Sequence, residues 1–131
     1  MAVHGEARNG HRMIDSASTT GEYWFEEGCH ILEWLNTPDD SAVSVARARV
    51  PPGTTTRWHR LSGITERYLV LSGQGVAQVD DSPPQTVSAG SVVHIPAGSL
   101  QRISNSGQED LVFLAVCTPR FREDCYEHCD N

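Results

Sequence analysis

From residue 21 onward the chain is built of short runs in which apolar and polar residues alternate, each closed by Gly, Pro, Asn or Asp. The run "EYWFEEGCHILEWLN" stops at "TPDD", "SAVSVARARV" at "PPG", and "TERYLVLS" at "GQG". Likewise "VAQVD" stops at "DSPP", "QTVSAGSVVHIP" at "AGS" and "LQRISN" at "SGQED", and "LVFLAVCTP" leads into the tail. Strands of about five to nine residues at this spacing predict an all-β sandwich or barrel. No segment holds a helical period except "FREDCYEHC", which predicts a short C-terminal turn or helix. Pro52-Gly53 and Pro96-Ala97-Gly98 each close a β run just ahead of a polar segment. Proline fixes φ and glycine admits positive φ, so both mark sharp corners between strands.

Composition narrows the function classes. A length of 131 residues suits one domain with a real core. We expect residues 21–131 to form it, behind a flexible arm over residues 1–20. That arm lacks the apolar stretch of a secretory signal, which predicts a cytoplasmic address. No apolar run reaches the length of a membrane-spanning helix, so no membrane partner is expected. The net charge is −7, which repels a phosphate backbone and makes nucleic acid an unexpected partner. All ten basic residues are arginines. Without lysine no Schiff base forms, which excludes pyridoxal phosphate anchoring and lysine-based covalent catalysis.

Of the four cysteines, Cys29 and Cys117 sit in apolar strand-like runs and read as buried small hydrophobes. Cys125, His128 and Cys129 cluster in the tail, but no second Cys/His pair is placed to complete a structural zinc site.

The chemistry concentrates in "RWHRLSGITERYLVLSGQG", residues 57–75. From Gly53 the spacing is five residues to His59, six to Glu66 and six to Gly73. A second frame runs from Gly90 through five residues to Pro96-Ala97-Gly98, then two to Gln101 and three to Asn105. These paired frames resemble the two motifs of the cupin superfamily, G-x5-H-x-H-x3–4-E-x6-G and G-x5-P-x-G-x2-H-x3-N. The resemblance covers residues 53–105 directly. It implies a single double-stranded β-helix, or jelly-roll, barrel whose interior holds a small-molecule ligand.

The resemblance also implies a site. In cupins two histidines and a glutamate of the first motif and a histidine of the second bind one metal inside the barrel. Here His59 and Glu66 keep their places, whereas Leu61 and Gln101 stand where the other two histidines would be. The implied ligand set for a divalent metal is therefore His59, Glu66 and Gln101, weaker and harder than the 2-His-1-carboxylate set of non-haem iron oxygenases.

Strand alternation puts Glu66 and Tyr68 on one face, with Arg67, Leu69 and Leu71 on the other. His59, Gln101 and Ile103 are expected to share the inward face. Leu69 and Leu71 then need cover, from the N-terminal strand or from a second subunit, and the latter is expected as a homodimer. Tyr68 and Ile103 are expected in the substrate pocket, with Arg47 and Arg49 if these point inward to grip an anion. Without a metal, a carboxyl buried in the barrel has a raised pKa, and Glu66 with His59 becomes an acid/base pair.

The reading that follows is a small cupin acting on a small polar or anionic molecule. Isomerase, cyclase or lyase-type proton transfer is favoured over oxygenation. The alternative is a non-catalytic binding or sensing barrel whose metal site has decayed. The bland reading of His59 and Glu66 is a hydrogen-bonded pair in a polar mouth.

Overall fold

The computed structural model of the protein describes Met13, Ile14, Ser16 and residues 21–130, so the expected arm lies almost wholly outside the described residues. The strands are β1 (Tyr23–Phe25), β2 (Cys29–Leu35), β3 (Ser44–Val50), β4 (His59–Leu61), β5 (Thr65–Ser72), β6 (Gln74–Val79), β7 (Gln85–Ser88), β8 (Val92–Ile95), β9 (Gln101–Asn105), β10 (Leu111–Thr118) and β11 (Tyr126–His128). They pair antiparallel in two sheets, a six-stranded β1-β2-β3-β10-β5-β8 and a five-stranded β11-β4-β9-β6-β7. Sheet neighbours that are distant in the chain, such as β3 beside β10, give the jelly-roll topology in place of a simple meander. No described helix is long and apolar enough to cross a membrane.

Three stretches differ from the pattern-based expectation. The first run divides at Glu26–Gly28, where Gly28 at φ 110° donates its N–H to the Phe25 carbonyl at 3.0 Å. The run over residues 85–95 likewise divides at Ala89-Gly90, with Gly90 at φ 93°. In the tail, a 3-10 turn at Glu123–Cys125 leads into β11, which pairs with β4 through Tyr126↔Leu61 and His128↔His59. A polar segment satisfies its backbone on the free edge of β4, so no apolar period is needed to make it a strand.

The interior is organised in cross-strand rows. Ser44, Cys117, Glu66 and Ile95 align across β3, β10, β5 and β8. The next inward row is Ala46, Ala115, Tyr68 and Val93, with the exposed Glu33 at its β2 end, and beyond it come Ile31, Ala48, Phe113 and Val70. Ile95, Ile103, Leu111, Phe113 and Val50 are fully buried between the sheets, each stabilising the fold by about 1.5–3 kcal/mol. A second apolar cluster of Leu61, Ile64 and Cys117, with Phe121, Cys125 and Tyr126 against it, plugs one end of the barrel.

Both motif frames position backbone. A Cβ on Gly73 would lie 2.5 Å from the Asp110 carbonyl oxygen, and its φ is 89°. The β5–β6 corner therefore closes only with glycine there. Asn105 is buried and acts as a pin: its amide donates to the Val50 and Glu109 carbonyls at 2.8 and 2.7 Å and accepts from the Gly107 N–H.

Candidate functional site

A cavity of about 510 Å³ lies against the inward face of the six-stranded sheet, lined from β1, β2, β3, β10 and β5 and by residues 120–123, within the usual range for a small-molecule site. Its space comes from small residues. Ala46 and Ala48 on β3 and Ala115 on β10 point inward on neighbouring strands, where larger side chains would fill the bore. Phe113, Tyr68, Ile31 and Phe25 make apolar walls. The half-buried or exposed Arg120, Phe121, Arg122 and Glu123 mark the mouth.

Inside, alternation along β5 delivers Glu66 and Tyr68 to the cavity wall, while β4 and β9 pair so that His59 stands opposite Gln101. All four are buried, with exposures of 2% for His59, 8% for Glu66, 2% for Tyr68 and 1% for Gln101. The Tyr68 hydroxyl donates a short hydrogen bond to Gln101 Oε1. His59 Nδ1 lies 2.7 Å from the Arg57 carbonyl and must donate to it. That fixes the ring and turns Nε2 toward Glu27 Oε1, at 3.6 Å, within ion-pair reach but too long for a good hydrogen bond.

Each buried carboxyl has a thiol neighbour. Cys29 Sγ donates to Glu27 Oε2 at 3.5 Å and Cys117 Sγ to Glu66 Oε2 at 3.7 Å. Neither Glu66 Oε1 nor Gln101 Nε2 has a partner at hydrogen-bond distance.

These surroundings tune Glu66. Burial raises its pKa to about 7, the Glu27 charge adds to the rise, and His59, the Gln101 amide and the Cys117 thiol offset part of it. Burial also raises the Glu33 carboxyl, partly opposed by the hydrogen bond from Tyr23. Burial lifts the Cys117 and Tyr68 groups well above their ordinary values, so neither is an ionised nucleophile near neutrality.

The sequence-predicted residues divide. His59, Glu66, Gln101 and Tyr68 come together as one buried polar group. His59 and Gln101 sit behind the cavity wall and reach it through Glu27 and Tyr68. Ile103 shares the inward face but lies in the packed core, away from the cavity.

Arg47 and Arg49 point the other way. Because Ala46 and Ala48 take the inward positions of β3, the arginines project from the outer face and pair with Glu22 at 3.1 and 2.7 Å. Arg49 also reaches Asp110 at 3.0 Å. Glu22, held between two guanidiniums, has its pKa lowered to about 2.

Glu27, Glu33, Tyr23 and Arg120 were not among the expected site residues. Glu27 sits in the turn that splits the first β run. Its signal was the Gly28 beside it, which marks a turn where a continuous strand was read. The alanines of "VARARV" were a readable sign of a cavity, since small residues on one strand face leave space.

The donors do not fit a metal. Among the described residues no three His, Cys, Asp or Glu side chains are grouped to hold an ion. Of the implied set, the Gln101 oxygen is taken by Tyr68, leaving the NH2 end free, and Leu61 is buried in the apolar plug. A cation held by His59, Glu66 and Gln101 would require the Gln101 amide to turn over.

A family model described as the cupin domain matches residues 46–117. The oxalate-binding protein of Thermotoga maritima is 38% identical over 90 residues, which cover 69% of this chain and 73% of that protein. A solved structure from the same organism, described as a predicted oxalate decarboxylase, is 26% identical with a TM-score of 0.72, covering 82% of this chain and 99% of that one. The nucleoside dehydratase Pac13 also superposes with a TM-score of 0.72, over 89% of this chain and 92% of its own. At 19% identity that likeness concerns the fold alone. With the two glycine frames, the antiparallel jelly roll and the matched segment in agreement, the chain belongs to the cupin family.

Proposed function

We propose that this protein binds a small polar molecule in its barrel cavity and that Glu66 exchanges a proton with it. The observation that carries this reading is Glu66 itself, a carboxyl on the cavity wall with one oxygen unpartnered and a pKa near 7. Such a group is protonated and deprotonated in comparable amounts near neutrality, the condition for efficient general acid–base work. Proton transfer of the isomerase, cyclase or lyase type fits better than oxygen chemistry, because no step needs an ion that the donor set does not accommodate.

In this reading the Glu66 carboxyl on the cavity wall exchanges the proton, while its Oε2 accepts from the Cys117 thiol. Tyr68 lines the cavity and is held in place by its hydrogen bond to Gln101, which stands behind the wall. His59, locked by the Arg57 carbonyl, positions Glu27 beside Glu66 and moderates the charge there.

The relative named for oxalate binding supports small-molecule binding by this fold at 38% identity. Four carboxyls, Glu27, Glu33, Glu66 and Glu123, line the cavity against two guanidiniums, Arg120 and Arg122, which makes an anion a poorer fit, and Arg47 and Arg49 lie on the outer face.

Titration of Glu66 by carbon-13 NMR, with Glu66→Gln to assign the resonance, tests the reading. A midpoint near 7 is expected, and an ordinary midpoint near 4.5 would remove the proton-transfer role.

The homodimer is also proposed. Leu71 and Val92 are 46% and 64% exposed beside Leu69 on the outer face of β5 and β8, and a second copy would cover them. Light scattering on the eluting protein decides between one copy and two.

A further inference from the structure

The charges that line the cavity fall into two groups, and neither leaves an open counter-ion for a charged ligand. At the mouth the exposed Glu33, Arg122 and Glu123 and the half-buried Arg120 set two acids against two guanidiniums. Arg120 holds the Asn36 side chain at 2.9 Å, Arg122 reaches both Asp124 oxygens at 3.1 Å, and Glu33 takes the Tyr23 hydroxyl at 3.1 Å. Deeper in, Glu27 is engaged by Cys29 and faces His59. Glu66 accepts from Cys117 through one oxygen, and the other has almost no accessible surface.

Between these groups the wall is carbon. Ala46 lies directly opposite Ala115 across β3 and β10, and Ala48 is the next inward position along β3. Side chains stand perpendicular to a sheet, so three bare methyls on neighbouring strands leave a flat shelf. Phe113 bounds it beside Ala48 and Tyr68 beside Ala115, with ring centroids 4.3 Å apart. An apolar cavity of about 150 Å³ is enough for one benzene ring. The 510 Å³ here admits a fused pair of rings with a substituent.

A charged ligand would exchange its water for methyls and rings with no free partner, which is an expensive burial. An uncharged ring gives up little hydration and gains close contact over the shelf. A hydroxyl or carbonyl on its edge need only reach the mouth. There Arg120 has N–H groups beyond the one given to Asn36.

We propose that the cavity takes an uncharged molecule with a flat, apolar ring body, seated on the shelf of Ala46, Ala48 and Ala115. Its hydroxyl or carbonyl edge lies at the mouth. This inference rests on the cavity being the small-molecule site, and it narrows the ligand class.

Three probes share one body and differ in charge: 2-naphthylmethanol, 2-naphthoate and 2-naphthylmethylamine. A fourth, decahydro-2-naphthylmethanol, keeps the alcohol and thickens the body. Each is titrated calorimetrically into the full chain near neutrality. We expect the naphthyl alcohol to bind about tenfold or more tighter than the acid, the amine or the saturated alcohol. Ala115→Leu and Ala46→Leu each fill the shelf from a different strand, and each should weaken the alcohol about tenfold or more.

The proposal is overturned if a charged probe or the saturated alcohol binds as tightly as the naphthyl alcohol, or if no probe binds. Circular dichroism establishes which variants fold; one folded leucine variant suffices, and Ala115→Val takes its place if neither folds. Two levels of failure are separable. If a charged probe binds most tightly and the folded variant abolishes its binding, the cavity remains the site and only the uncharged ring class falls. If the naphthyl alcohol binds and the folded variant leaves its affinity unchanged, the ligand lies elsewhere and the small-molecule reading of this cavity falls too. If nothing binds, the ring class falls, while the proton-exchange reading is judged by the carbon-13 midpoint of Glu66.

Discussion

The pKa of Glu66 has a consequence for stability that can be measured without knowing any ligand. In the folded protein the carboxyl titrates near 7, against 4.5 for an unperturbed glutamate. A raised folded-state value means that the folded protein binds this proton more tightly than the unfolded chain does. The resulting stability is fully present below the unfolded pKa of 4.5 and is lost as pH rises through the folded value near 7.

The side chain is only 8% exposed, so solvent screening takes little off the difference. At about 1.4 kcal/mol per pKa unit, the loss across this window is about 3 kcal/mol. Glu66→Gln keeps the shape and removes the titration, so its stability should lack this one descending component. The assay is urea unfolding followed by tryptophan fluorescence, on both proteins, at steps from about pH 4.5 to 8. Subtracting the two curves cancels the other titrating groups they share. The difference should shift in favour of Glu66→Gln by about 3 kcal/mol from the acid to the alkaline end. A flat difference, or one of opposite sign, would refute the account of Glu66 as a buried carboxyl held protonated by its surroundings.

Other substitutions probe the scaffold of the site. Tyr68→Phe removes the proton given to Gln101 Oε1. It should cost about 1–3 kcal/mol in urea unfolding, because a buried acceptor loses its donor. Gly73→Ala sets a methyl 2.5 Å from the Asp110 carbonyl oxygen at φ 89°, and a loss of about 2 kcal/mol or more, read as a lowered thermal midpoint, is expected. The double change Leu61→His with Gln101→His places imidazoles at the two positions where the family pattern has them. Its affinity for Ni2+ or Co2+, followed by calorimetry, should exceed that of the unaltered chain by about a hundredfold or more, and equal affinity would mean that these two positions do not limit ion binding.

Much of the fold was legible because it is written in local chemistry. Gly53, Gly73, Gly90 and Gly98 all occupy positive φ, and glycines at that spacing mark corners whatever lies between them. A period of two and the motif frames put His59, Glu66, Gln101 and Tyr68 on one inward face, and all four are buried. Arg47 and Arg49 could have been placed from their neighbours. Alternation leaves two choices for "VARARV", and only outward arginines avoid burying two guanidiniums without partners.

Glu27 was not legible. It reaches the site because the β1–β2 turn folds over the barrel end, which depends on where the two sheets meet. β11 was hidden for a similar reason. Its residues make a strand by completing the edge of β4, a contact between segments some sixty-five residues apart in register. Periodicity within a segment carries no trace of such a partner.

The two buried thiols, Cys117 on the Glu66 carboxyl and Cys29 on that of Glu27, turn the barrel into its own spectrometer. An S–H bond vibrates at a frequency where the rest of a protein hardly absorbs, and it softens when its acceptor becomes negatively charged. Each sulfur therefore reports chiefly on the carboxyl to which it donates. Infrared bands separated by substituting one cysteine at a time would resolve the two acids individually, in solution, with no label added.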